Sequence, residues 1–163
     1  MAYEFYVTVE SKKTGKFREE TGGGKGKVPG RVTGIAFEYS VDSPRDAASG
    51  MATGKRVHHP VSFVKQWGAS SPQFFSALVS NDVLTSVLFE FMITSEMGKP
   101  QVFHTIRLTN VAVTAIEQLV AHDDEDVHDA RPLEKISMMF QKIEITNLDG
   151  NTSAVDDWVG ALP

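Results

Sequence analysis

Apolar and polar residues alternate from the start of the chain, with Tyr3, Phe5, Val7 and Val9 set among Glu4, Thr8 and Glu10. A period of two marks a strand with one buried face, so this segment predicts the first strand. A stretch holding seven of the thirteen glycines, between Gly15 and Gly34, follows. Alternation then returns, with Ile35, Phe37, Tyr39 and Val41 opposite Gly34, Ala36, Glu38 and Ser40. A third predicted strand carries Val57, Val61, Phe63 and Trp67. The rhythm changes at SSPQFFSALVSND, where Ser71 predicts an N-cap and Pro72 fits the first helical position, which needs no amide hydrogen. Phe75, Leu78 and Val79 share a face at i, i+3 and i+4, giving one short helix that must dock on a sheet to persist.

From Val83 the two-residue period resumes, with Val87, Phe89, Phe91 and Ile93 opposite Ser86, Glu90 and Thr94. Residues 97–100 read as a turn. In the next strand Val102, Ile106 and Leu108 share one parity and Val111, Val113 and Ala115 the other, which predicts a bulge or bend near Asn110. A second slip, from Ile136, Met138 and Phe140 to Ile143 and Ile145, predicts another near Gln141. Residues 147–151 read as a turn before a short final strand. Many long, bent strands and a single helix predict a mainly β fold, a barrel or tightly wrapped sandwich, without the parallel βαβ units that carry a Rossmann-type cofactor site.

At 163 residues, with 41% hydrophobic and 23% charged residues, one globular domain spanning 1–163 is the simplest reading. The chain has no cysteine, which removes disulfides, thiolate metal sites and a thiol nucleophile. Residues 1–13 lack the basic start and apolar run of a secretory signal, so if the protein leaves its cell it is expected to do so by a route that needs no cleaved leader. No stretch reaches the roughly 18 consecutive apolar residues of a membrane helix, and no membrane insertion is expected. A net charge of −5 argues against a nucleic-acid partner. That charge is uneven: residues 11–31 hold seven basic side chains, and residues 122–134 hold six acidic ones against Arg131. Two oppositely charged loops can simply be solvated, or can steer copies of the chain together.

The candidate chemistry is thin. Gly50-Met51-Ala52-Thr53-Gly54-Lys55-Arg56 approaches a phosphate-binding loop, but its glycines stand four apart instead of five, Arg56 replaces the hydroxyl residue, and a strand is predicted next. His58 and His59 are neighbours, so on a strand they point to opposite faces and cannot share a metal. The acidic cluster around His122 and His128 matches no calcium loop. His104 reads as a packed histidine, and no nucleophile elbow is present. No catalytic residue, metal or cofactor is assigned, and the protein is not expected to be an enzyme. Trp67, Trp158 and the ten phenylalanines leave one alternative open, a soluble barrel that binds a small ligand. Residues 42–56, rich in Ser, Ala and Gly with charges at both ends, are too long for a tight turn and too polar for a core, and read as a protruding interaction arm.

SPRDAASGMATGKRVHHPVSFVKQW, SPQFFSALVSNDVL, FHTIRLTNV and FQKIEITNLDGNTSAVDDW resemble, in order, the hemolysin-coregulated protein (Hcp) family, the tube proteins of type VI secretion systems. The resemblance covers about Ile35 to Trp158; the Gly/Lys-rich stretch before it departs from the family pattern. It implies a compact β-barrel of two sheets with a lateral helix, assembling into hexameric rings that stack as an inner tube. It also implies a bacterial cytoplasmic protein that is then secreted, with sheath, spike and baseplate proteins as partners and effectors in the bore. The arm matches the family's extended loop, which reaches toward the neighbouring ring. The expected contacts on its outgoing leg and tip are Ser43, Pro44, Arg45, Asp46, Ser49 and Gly50. On the return leg they are Thr53, Gly54, Lys55 and Arg56, followed by His58, and by Asp157 and Trp158 from the last block. Strands bordering a bore are expected to expose small or polar residues.

Overall fold

The structure is a computed structural model that describes residues 4–18, 31–121 and 131–158. Tyr3, the Gly/Lys-rich string at 21–27 and the acidic cluster at 122–130 lie outside the described residues, and with them most of the expected pairing of charged loops. The strands are β1 (Glu4–Ser11), β2 (Gly15–Lys16), β3 (Val32–Gly34), β4 (Ala36–Glu38), β5 (Val41–Asp42), β6 (Val57–His58) and β7 (Val61–Gln66). Helix α1 (Ser71–Val79) precedes β8 (Leu84–Thr94), β9 (Pro100–Ala121), β10 (Arg131–Asn147) and β11 (Thr152–Asp157). The strands pair antiparallel in two sheets. The larger runs β2-β1-β8-β9-β10-β7-β4, with β11 added to β10 and β3 to β1, and the smaller is the ribbon β5-β6.

The large sheet curls until its two ends nearly meet, and residues 32–38 straddle the gap. β3 pairs with β1, β4 pairs with β7, and between them Ile35 N donates to Val64 O at 2.8 Å. The bend at Ile35 corrects the expectation of one regular strand from Ile35 to Val41: Ile35 and Val41 are half exposed, and only Phe37 and Tyr39 pack on the core. The third expected strand likewise divides, at His59 and Pro60, into β6 and β7, because proline supplies no amide hydrogen to a ladder.

Within a largely aliphatic core, aromatic rings form a connected cluster. Phe37 meets Phe5, Phe89 and Phe91 edge-on at centroid distances of 6.2, 5.0 and 5.2 Å, and Phe63 bridges Phe89 to Phe74. These rings pack on one another across the inside of the sheet, which is the ordinary use of buried phenylalanine. Gly34 is required by this packing: a Cβ there would stand 1.9 Å from Cε2 of the buried Phe5.

The two parity slips expected near Asn110 and Gln141 are one event. Phe140 pairs with Val111 and Lys142 with Thr109, which places Asn110 opposite Gln141 with no change of register. Asn110 adopts φ +53°, a left-handed conformation that asparagine tolerates, and its Nδ2 donates to Gln141 Oε1 at 2.8 Å. Both strands therefore exchange faces together, and Ile106, Leu108, Val111, Val113, Met138, Phe140 and Ile143 all remain buried. A separate bulge at Thr114 follows from the register shift between Ser137 and Met138.

Helix α1 differs from expectation in its cap and its face. Ser70 is the N-cap, and Ser71 is the first helical residue. Phe74 and Ala77 are buried with Leu78 packed beside them, whereas Phe75 and Val79 are each 59% exposed. The cause lies beneath the helix start, where Lys65 Nζ meets Glu134 Oε1 at 2.6 Å with both side chains 0% exposed. Ser71 Oγ donates to the same carboxylate at 2.6 Å, and Gln118 Nε2 donates to Oε2 at 3.1 Å. Lys65 also donates to Gln66 O and Ser71 Oγ at 2.7 and 3.1 Å. One satisfied polar cluster thus ties β7, β9 and β10 to the helix and sets its rotation. Burial alone would raise the Glu134 carboxyl, but hydrogen bonds from Lys65, Ser71 and Gln118, with the Lys65 charge, outweigh it and hold the group below its ordinary value.

Two outcomes follow from this packing. Gly34→Ala is expected to cost about 1–3 kcal/mol in urea unfolding by displacing Phe5; an unchanged midpoint contradicts the close approach. Glu134→Gln leaves Lys65 buried without its counter-charge and is expected to cost about 3–5 kcal/mol at neutral pH. A depressed folded pKa means the carboxylate's stabilisation is complete above its ordinary value and fades as pH falls through the folded value. The gap between wild type and Glu134→Gln should therefore narrow in acid; a constant gap contradicts the charge-based account.

Candidate functional site

The arm is a hydrogen-bonded hairpin that stands off the barrel. At its base Val41 pairs with His58 and Asp42 with Val57, and His59 N donates to Ser40 O at 3.0 Å. Farther out, Thr53 N donates to Pro44 O at 3.0 Å, Arg45 bridges Ala52, and Asp46 N donates to Met51 O at 2.8 Å. The tip closes through Gly50 N to Asp46 O and Ala48 N to Asp46 Oδ1, both 2.8 Å, with Ser49 Oγ accepting from Met51 N. Gly50 has φ +70°, so the turn itself requires glycine here. The glycines that imitated a phosphate loop are hairpin residues followed by a strand, which leaves no helix N-terminus to face a phosphate.

Between the two ladders only Ser43 on the outgoing leg opposes Gly54, Lys55 and Arg56 on the return leg. This wide bulge turns Arg56 aside from the hairpin and toward β11. There Arg56 grips Asp156 with two donors, Nε to Oδ2 and Nη2 to Oδ1, the second at 2.6 Å. His58 Nε2 lies 2.8 Å from the same Oδ2, and its Nδ1 lies 2.8 Å from the Tyr39 hydroxyl. The His58 side chain is 3% exposed and its ring sits among Tyr39, Phe140 and Trp158 at 6.3, 5.2 and 6.0 Å. Trp158 Nε1 donates to Phe140 O at 2.6 Å, fixing the wall of this enclosure.

The electrostatics follow from the geometry. The hydrogen bond from Arg56 holds the Asp156 carboxyl below the usual carboxylate range against a smaller opposing effect of burial, and His58 adds to the lowering. Burial, then the Asp156 charge, raises the Tyr39 hydroxyl. Beside the root, Tyr39, Val41, Ile143, Ile145, Ala154 and Val155 line a mostly apolar depression of about 270 Å³.

The expected contact residues thus divide. Ser43, Arg45, Asp46, Ser49, Gly50, Thr53, Gly54 and Lys55 lie exposed along the arm, and Pro44 is half buried. Arg56, His58 and Trp158 come together at the root and are engaged within the chain. Asp157 is exposed on the other face of β11, and Asp156 occupies the root. Sequence reasoning passed over Asp156 and Tyr39. The signal for Asp156 was available: the turn at 148–151 sets Asn147 opposite Thr152, which brings Asp156 opposite the buried Ile143. His59 is separate, paired with Asp42 at 2.7 Å, and His104 packs near Phe91 with Nδ1 3.4 Å from Asn147 Nδ2. Among the described residues no three metal-ligating side chains converge.

Comparison with known proteins bears on this arrangement directly. Residues 25–146 match the family described as "Type VI secretion system effector, Hcp". The "Major exported protein" of Pseudomonas aeruginosa is 34% identical over 124 residues, covering 75% of this chain and 72% of that protein. Among solved structures, an Hcp protein aligns with a TM-score of 0.87 at 26% identity over 96% of this chain and 98% of its own. The secreted protein Hcp3 from Pseudomonas aeruginosa aligns at 0.78 and 25% identity, over 96% of this chain and 99% of its own. The chain therefore belongs to this family: it is an Hcp protein of the type VI secretion system.

Proposed function

We propose that this chain is the protomer of a type VI inner tube, closing into hexameric rings that stack through the arm. The observation that carries the reading is order without burial. Residues 45–56 are exposed, yet the hairpin is hydrogen-bonded at its base and again along its outer ladder and tip. A two-stranded hairpin is marginal alone in water, so a surface on another copy is what would repay holding it out. A closed ring needs a heterologous contact, and stacking a second one; the arm supplies a candidate for the second.

The outer face of the large sheet supports the same reading. Across neighbouring strands the outward row Tyr6, Glu90, Thr105, Thr146 and Ser153 is polar, and the next holds Thr8, Leu88, Arg107, Glu144 and Val155. Such a wall suits a bore through which solvent and folded cargo pass. In this role the protein is made in the bacterial cytoplasm, exported with the tube, and meets sheath, spike and baseplate proteins outside and effectors inside.

Light scattering on the purified protein is expected to give the mass of a hexamer; a strict monomer at high micromolar concentration contradicts the ring. Arg45→Glu combined with Lys55→Glu reverses two exposed arm charges and is expected to leave ring mass intact while suppressing tube formation in low salt. Equal tube formation by the variant removes the arm from the contact.

A further inference from the structure

The bulge that frees Arg56 also leaves a gap in the hairpin. Among the described residues Gly54, Lys55 and Arg56 have no cross-strand rung, so the return leg crosses from the outer ladder to the base without backbone support. What holds that leg to the barrel is the pair of side-chain bonds from Arg56 to Asp156. Asp156 is itself fixed, because β11 is zipped to β10 over six rungs, from Lys142 with Asp157 to Asn147 with Thr152. His58 completes the connection from the next strand, with Tyr39 behind it.

From this geometry we propose that Asp156 is the positioning residue of the arm, a latch that ties the return leg to β11 and fixes the angle at which the hairpin leaves the barrel. The inference rests on the reading of the arm as a contact between rings, and deepens it by assigning where the arm's pose is set. A lone exposed ion pair would be a weak latch. This one is bidentate, its partners are 36% and 31% exposed, and the carboxylate also engages a histidine that is almost wholly enclosed. Posing the arm in advance raises the fraction of molecules ready to bind, and apparent affinity scales with that fraction. Asp156 itself makes no contact with a neighbour in this account; it acts through Arg56 and His58.

The test is a double-mutant cycle with Asp156→Asn, Arg56→Gln and the two combined. Two quantities are read: hydrogen exchange of the arm amides of Asp46, Gly50 and Thr53 in protein kept too dilute to stack, and the concentration at which tubes appear. Each single variant is expected to speed arm exchange about tenfold and raise the tube-forming concentration by about the same factor. Core amides such as those of Val87 and Leu108 should be unchanged, and the double variant should be no worse than Asp156→Asn alone. Unchanged arm exchange in Asp156→Asn overturns the latch, as do additive effects in the cycle or a matching loss of protection in the core. If wild-type protein forms no tubes, the ring-contact reading falls, while arm exchange in the same four proteins still decides the latch.

Discussion

The structure depends on keeping apolar residues inward along two strands too long for a sheet of one regular curvature. β9 runs for 22 residues and β10 for 17, and a sheet that curls cannot keep one parity buried over that length. The rung at Asn110 and Gln141 resolves the conflict by reversing both strands at once, so register is kept across it and Leu108, Val111, Phe140 and Ile143 on its two sides all stay buried. Everything beyond that rung is placed by it. β11 pairs with residues 142–147, past the reversal, and Asp156 is opposite Ile143 on the face that now points inward. Without the reversal the carboxylate would stand on the other side of the sheet, away from Arg56 and His58.

The arm is thus an extension of the barrel's own geometry. Its base is a two-rung ribbon, its middle is bulged, and its tip is closed by Asp46 and Gly50. Flexible loops and rigid hairpins reach equally far, but a rigid one loses less entropy on contact. The side chains that confer rigidity are intramolecular, whereas those left facing outward are mostly small or charged, with Met51 near the tip the large apolar exception. This division of labour suits the proposed contact between copies in one orientation. The Lys65–Glu134 cluster has a comparable role for the helix, fixing its rotation from below while Phe75 and Val79 remain on its outer face.

Much of this was legible in the residues. Period-two alternation located β1, β8 and the long strands, and the parity slips marked the reversal, though not that both slips were one rung; that requires knowing that β9 and β10 are neighbours. The helix was found but its buried face was not, because Phe74, Ala77 and Leu78 satisfy helical spacing as well as Phe75, Leu78 and Val79 do. The choice between them was made by Ser71 reaching Glu134, a contact 63 positions away that no local pattern encodes. The arm was visible from its length and composition. Its root was not, since Arg56 and Asp156 are separated by 100 positions and only the β10–β11 register brings them together.

Membership of the Hcp family and the physics of the arm converge on a single claim, that copies of this barrel surround an axial hole and pile up along it. Electron micrographs of the purified protein test that claim most directly. Averaged top views are expected to show annuli with six equal lobes around an open centre, and side views should show layers bridged by thin contacts. Averages containing only solitary compact particles, across protein concentrations and ionic strengths, would contradict it.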